Sequence, residues 1–202
     1  MRLQLPLLAL ALAARQQGPE DTGLPALNAA IERCSHLDPL GCQRELQNVA
    51  AGHPNSAAAW FYLGLVAQQG LGDEAAAAIN YEKAHALDPN HLDALCNLGK
   101  TRLDRGKQTG NPDDKAEALQ LWRRTLELDP GHRMARVNLA LALHQDGLFD
   151  DAMRHWDLLL NADPADVEVL YNAVHKRRGR RRLGARRGRA SSFNRRRHDH
   201  RP

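Results

Sequence analysis

The sequence SAAAWFYLGL occupies residues 56–65, and related stretches follow at residues 91–100 (HLDALCNLGK) and 132–141 (HRMARVNLAL). Each stretch carries a leucine followed by a small residue, at Leu63-Gly64, Leu98-Gly99 and Leu139-Ala140. Each is followed by a second apolar segment that ends in Asp-Pro, at Asp88-Pro89, Asp129-Pro130 and Asp163-Pro164. Because a residue before proline is pushed out of the helical region, each Asp-Pro predicts a helix end. The chain therefore contains three copies of a two-helix unit, and a fourth copy begins near Leu170.

The spacing of the prolines gives the length of the unit. The interval is 35 residues from Pro54 to Pro89 and 34 residues from Pro130 to Pro164, but 41 residues from Pro89 to Pro130. The excess falls at residues 107–112, where Gly110-Asn111-Pro112 predicts a longer turn between the two helices of the second unit.

This pattern resembles the tetratricopeptide repeat, a unit of about 34 residues that forms two antiparallel helices. The resemblance implies an all-α fold, a right-handed superhelical solenoid of antiparallel helix pairs. It covers residues 55–175, as three full repeats and one truncated repeat. Residues 24–54 are interpreted as a degenerate helical hairpin that caps the stack, because terminal repeats are often atypical.

Small residues mark where the two helices of a repeat are expected to cross. On the first helices these residues are Gly64, Gly99 and Ala140, and on the second helices they are Ala76, Ala118 and Ala152. The large side chains of Trp122 and Trp156 are expected to fill the space between units.

The first 14 residues predict a secretory signal peptide. Arg2 precedes an apolar run from Leu3 to Ala13, which is too short to span a bilayer and ends in the small-residue pattern Ala11-Leu12-Ala13. The alternative is an apolar helix that packs on the repeats. Residues 15–23 predict a linker, and no later stretch is long enough to span a membrane. A secreted protein, or one in the lumen of the secretory pathway, is therefore expected.

Cys34 and Cys42 flank the turn of the capping hairpin and are candidates for a disulfide. The bond depends on export, since oxidising compartments favour it and a reduced cytosol does not. The alternative is a pair of buried free thiols. Cys96 is interpreted as a small groove or core residue, because no His and acidic pair accompanies it in a catalytic motif.

The resemblance implies that the first helix of each repeat lines a concave groove. The same position of this helix holds Tyr62, Asn97, Asn138 and Asn172 in successive repeats. An amide can donate to and accept from a peptide backbone at once, so these asparagines could hold an extended peptide. The arrangement resembles the asparagine ladder in the repeat arm of O-linked N-acetylglucosamine transferase, although asparagine is also frequent here across the repeat class. The neighbouring predicted groove residues are Phe61, Leu65, Lys100, Val137 and Leu141.

No catalytic, metal-binding or cofactor-binding residues are predicted. The cationic sites of the two-carboxylate clamp, which the co-chaperone subclass uses, hold Phe61, Met134 and Asn138 here. His53, His91 and His132 recur near the repeat-ending prolines and are interpreted as turn surface.

The leading prediction is a non-enzymatic scaffold for a protein or peptide ligand. The alternative is the truncated or alternatively spliced repeat arm of a larger enzyme of the glycosyltransferase, sulfotransferase or hydroxylase type.

Residues 176–202 form a separate basic segment. They hold 13 of the 28 Lys and Arg residues but one acidic residue, Asp199, for a net charge of +12, so the remainder of the chain carries −8. This composition predicts a disordered tail. Such a tail could bind nucleic acid or anionic lipid, or act as a nuclear localisation signal. Because it interrupts the fourth repeat, a splice or reading-frame product is a further interpretation.

Overall fold

A computed structural model describes residues 25–170 and 172 of the 202-residue chain. The signal, linker and basic-tail predictions fall on residues outside this part. The described residues form α-helices and one π-helical segment, without strands. The elements are α1 (Pro25–Cys34), α2 (Pro39–Gly52), α3 (Ala57–Leu65), the π-helical segment (Val66–Leu71), α4 (Glu74–Leu87), α5 (Leu92–Thr109), α6 (Pro112–Leu128), α7 (Arg133–Gln145) and α8 (Phe149–Ala162).

The chain divides into two compact units, Met1–Pro130 and Gly131–Pro202. In the first unit the helices pack as consecutive pairs, α1 with α2, α3 with α4, and α5 with α6. Further contacts join α2 to α3 and α4 to α5, so these pairs stack on one another. In the second unit α7 packs against α8, and residues 167–170 and 172 are again helical. The predicted all-α fold of helix pairs is confirmed.

Local sequence sets the ends of these helices. The Ser56 hydroxyl accepts a hydrogen bond from the Ala59 N–H at 3.2 Å, and the Asp73 carboxylate accepts one from the Ala76 N–H at 2.9 Å. Each therefore satisfies a backbone donor that the first turn leaves without a partner. The second helices of the three repeats end at aspartates with extended backbone, as the Asp-Pro pairs predicted. These are Asp88, Asp129 and Asp163.

The two helices of a repeat meet where glycine faces an aromatic ring. A Cβ atom on Gly64 would lie 2.5 Å from the Tyr81 ring, and one on Gly99 would lie 2.6 Å from Nε1 of Trp122. No side chain fits at such distances without displacing its neighbour. The crossing positions predicted on the first helices are therefore where the structure needs small residues.

On the second helices of the repeats, one of the predicted crossing residues is wrong. In α6 the buried stripe contains Ala118, Trp122 and Thr125, at spacings of four and three residues. The same spacing in α4 selects a different alanine from the one predicted: Ala77, Tyr81 and Ala84 are buried, whereas Ala76 is half-buried at the edge of the stripe. Tyr81 thus takes the place that tryptophan holds in the later repeats. The Trp156 side chain fills this position in α8 and is fully buried.

The prediction of a longer turn in the second repeat was wrong. The extra residues belong to longer helices instead. α5 has 18 residues against 13 in α7, and α6 has 17 against 14 in α8. The turn itself is only Gly110-Asn111, one residue shorter than the corresponding turn of the third repeat. Gly110 takes the left-handed conformation (φ 74°) that ends α5, while the Asn111 side chain caps α6 and Pro112 opens it.

The capping hairpin is closed by a disulfide between Cys34 at the end of α1 and Cys42 in the first turns of α2. Both cysteines are buried, as are Leu27, Ala30 and Leu46 of the same hairpin. The Arg33 guanidinium also contacts the Glu45 carboxylate at 2.9 Å on the exposed side. Among the described residues, none of the helices combines the length and apolarity that crossing a bilayer requires.

Candidate peptide-binding surface

The first helices of the repeats bury four of the predicted groove residues. Phe61, Tyr62, Leu65 and Val137 are each at most 5% exposed. The Phe61 ring lies 5.3 Å from the Tyr62 ring and 4.9 Å from the His91 imidazole, centroid to centroid. These aromatic contacts place both side chains in the core of the first unit. The prediction that these four groove residues lie on an open surface was therefore wrong.

The other members of the predicted set are at least partly accessible. Lys100 is exposed, whereas Asn97, Asn138, Leu141 and Asn172 are half-buried. The Asn97 amide makes no hydrogen bond to any other described residue, so its donors and its acceptor all remain available. The three asparagines predicted for the groove are therefore partly accessible.

Charged side chains on the exposed side of α5 form ion pairs with one another. The Lys100 ammonium lies 3.3 Å from the Asp104 carboxylate, which also lies 3.1 Å from the Lys107 ammonium. Such exposed ion pairs contribute little to stability. Together these three groups carry a net charge of +1.

In the second unit, α7 presents an apolar side chain, Met134, which the sequence had indicated only as a departure from the two-carboxylate clamp. Met134 is 52% exposed, four residues before Asn138 and therefore on the same side of the helix. Arg133, beside it in the chain, holds the Asp166 and Glu168 carboxylates at 2.7 Å and 3.0 Å. Methionine adapts readily to apolar partners. The sequence signal that could have identified Met134 was its helical spacing from Asn138.

Trp60, on α3, is a second accessible side chain. Its ring is half-buried, and its indole N–H donates to the Pro54 carbonyl at 2.9 Å. The Lys83 ammonium lies 4.0 Å from the ring centroid. The cation therefore covers this ring and competes with any ligand for its face.

The buried Tyr81 hydroxyl belongs to a hydrogen-bond network in the core. The Tyr81 hydroxyl donates to Oε1 of Gln68 at 3.1 Å, and Nε2 of Gln68 donates to the Glu74 carboxylate at 3.0 Å. Burial, followed by the charges of Glu74 and Cys96, raises the pKa of Tyr81 far above its usual value. Tyr81 thus stays a neutral donor in the core. Within the part of the chain described, His, Cys, Asp and Glu form no group of three that could hold a metal ion.

Comparisons with known proteins agree with the repeat pattern. The sequence profile of the family described as Tetratricopeptide repeat matches residues 43–91 and 113–167, slightly more than half of the chain. No curated protein matches the sequence.

Solved structures show the same fold. The crystal structure of MamA is 19% identical, with a TM-score of 0.64, over 75% of this chain and 84% of that chain. YrrB, described as a TPR protein with an unusual peptide-binding site, is 20% identical, with a TM-score of 0.62, over 85% of this chain and 84% of that chain. TTC0263, a thermophilic TPR protein of Thermus thermophilus, is 16% identical, with a TM-score of 0.59, over 87% of this chain and 95% of that chain. At these identities the likeness concerns the fold alone.

Proposed function

Because the chain belongs to the tetratricopeptide repeat family, we propose that it is a non-enzymatic scaffold of the secretory pathway that binds a protein or peptide along the first helices of its repeats. The observation that carries this proposal is the Asn97 amide, accessible on α5 and without a hydrogen-bond partner among the described residues. Asn138 and Asn172 occupy the same repeat position. The peptide-binding site named for YrrB, a protein of the same fold, adds support.

The chemistry of these side chains defines the ligand. An amide pairs with the N–H and C=O groups of an extended backbone and is indifferent to the ligand's side chains. In the second unit, Met134 offers an apolar contact on the same side of α7 as Asn138. In the first unit, the ligand class is therefore an extended peptide segment whose backbone pairs with the Asn97 amide. In the second unit, it is a segment with an apolar side chain that packs against Met134.

A displayed library of random peptides, panned against the full chain, supplies the probe for this proposal. The selected peptide is then titrated against the full chain and against a chain that ends at residue 175, after circular dichroism has shown equal helix content. Both proteins should bind with similar dissociation rates, and the salt dependence should weaken without the basic segment. Binding that disappears with residues 176–202 would assign the ligand to the tail instead.

A further inference from the structure

Two of the helices that carry the predicted groove asparagines begin at a histidine. His91 is the N-cap of α5, and its Nδ1 atom accepts the Ala94 N–H at 3.3 Å. His132 is the N-cap of α7, and its Nδ1 atom accepts the Ala135 N–H at 3.2 Å. The corresponding position of α3 holds Ser56, whose hydroxyl likewise accepts a hydrogen bond from a backbone N–H of the first turn. The turn-surface interpretation of His91 and His132 therefore missed a role in starting each helix.

An imidazole cap differs from a serine cap because it can be protonated. A backbone N–H only donates, so the ring nitrogen that faces it must carry no proton. Protonation of Nδ1 removes the acceptor and leaves a donor opposite a donor. It also adds positive charge at the end of the helix where the backbone dipole is already positive. Both effects weaken the first turn.

We propose that His91 and His132 are an acid-sensitive device that loosens the starts of α5 and α7 as the pH falls from about 7.5 to about 5.5, the range in which histidine ordinarily changes charge. One such cap lies in each of the two units. The device is independent of the proposed peptide binding, since it acts on the helices themselves.

The surroundings of His91 contain charges of both signs. The Asp88 carboxylate lies in the preceding turn, where it accepts the Asn90 N–H at 2.9 Å, and Asp93 lies in the first turn of α5. From α6, Arg124 reaches the same turn and donates to Oδ1 of Asn90 at 3.1 Å. From α3, the uncharged Phe61 ring packs on the imidazole.

The surroundings of His132 are arranged differently. Arg133 and Arg136 follow it on α7. The acidic residues at the start of the next helical segment, Asp166 and Glu168, are already engaged by the Arg133 guanidinium. Asp129 precedes His132 by three residues, as Asp88 precedes His91, so an acidic group lies in this turn as well.

Replacing both caps by asparagine tests the device, because asparagine is a strong cap that does not titrate in this range. Thermal unfolding of the full chain is measured from pH 7.5 to 5.5 for wild type and for His91→Asn/His132→Asn. The melting temperature of the wild type should fall about 4 to 8 °C more than that of the variant. Each single variant should remove part of this difference.

His53→Asn is the matched control, since His53 is exposed at the end of α2 and its ring caps no helix. This control should not reduce the loss of melting temperature on acidification, because positive charge at the C-terminal end of a helix is favourable rather than unfavourable. Hydrogen exchange of the Ala94 and Ala135 amides gives a second measurement. These amides should lose protection on acidification in the wild type and keep it in the double variant. An identical pH dependence of melting and of exchange in wild type and double variant would overturn the proposal.

Discussion

At the scale of single residues, the second repeat depends on one glycine and one indole. Trp122 is buried, and its Nε1–H donates to the Cys96 carbonyl at 3.0 Å across the two helices. Gly99 lies one turn further along α5, where its missing side chain makes room for the same ring. The hydrogen bond and the close approach therefore fix Trp122 from two sides, and the ring cannot move away from a new atom at Gly99.

Gly99→Ala should lower the free energy of unfolding by about 1–3 kcal/mol, because the added methyl overlaps the Trp122 ring. Chemical denaturation followed by circular dichroism measures the effect. Gly52→Ala is the control, since a Cβ atom there meets nothing within 4 Å. Equal stability of Gly99→Ala and wild type would show that the helices do not cross at Gly99.

Sequence spacing located these crossings but misjudged several side chains around them. The leucine-small pattern identified Gly64 and Gly99 because a helix crossing excludes larger residues. It could not reveal that the Phe61 ring packs on His91, since that contact joins the first helices of two consecutive repeats. Helical spacing assigns a residue to a face of a helix, whereas its burial depends on which neighbour covers that face.

At the scale of elements, the long second repeat shows how the fold accommodates an insertion. Its extra residues lengthen both helices, and the bidentate Arg105–Asp114 pair joins the added turns. Gly106 allows the close approach there, because a Cβ atom would lie 3.0 Å from the Asn111 carbonyl oxygen. Composition alone favoured a loop, since Gly, Asn and Pro are common in turns. The helix caps that these residues form became evident only with the tertiary pairing.

The Arg105–Asp114 pair predicts an acid dependence of stability. The hydrogen bond from the Arg105 guanidinium is the main reason that the pKa of Asp114 lies below its ordinary value. Such a carboxylate stabilises the fold above its unfolded-state pKa, and this contribution is lost as the pH falls through the lower folded-state value. Asp114→Asn should therefore lower the urea midpoint at neutral pH and flatten its decline below about pH 4. Asp113→Asn, at the exposed neighbour, should behave as wild type; a decline in Asp114→Asn as steep as in wild type would contradict the assignment.

The capping hairpin predicts the redox state of the cysteines in an exported protein. Protein isolated from its native cell should start near Ala14 or Arg15 and, when denatured without reductant, should present only the Cys96 thiol to alkylation. Reduction should cost about 2–3 kcal/mol of stability, as expected for such a short loop. Intact Met1 together with three alkylated cysteines, read by mass spectrometry, would remove both the signal and the disulfide.

At the scale of the whole molecule, the repeats were predictable because three copies in register share one physical requirement. No helix pair buries its apolar face alone, so the sequence must repeat the small and large residues that let pairs stack. The ligand surface lacks such a constraint. Accessible side chains such as Asn97 and Met134 contribute little to packing, so packing does not constrain which residues stand there. The sequence therefore predicted groove positions for the asparagines without identifying the ligand.

The affinity of the library-selected peptide for Asn97→Ala/Asn138→Ala tests the proposed function most directly. Both asparagines are only half-buried, so their replacement should leave the helices intact. Each lost amide contact should cost about 0.5–1.5 kcal/mol, and the double variant should therefore bind about 5- to 100-fold more weakly. Asn161→Ala, at an exposed asparagine near the end of α8, should bind as wild type does. Equal affinity of the wild type and the double variant, measured by calorimetric titration, would contradict peptide binding on the first helices.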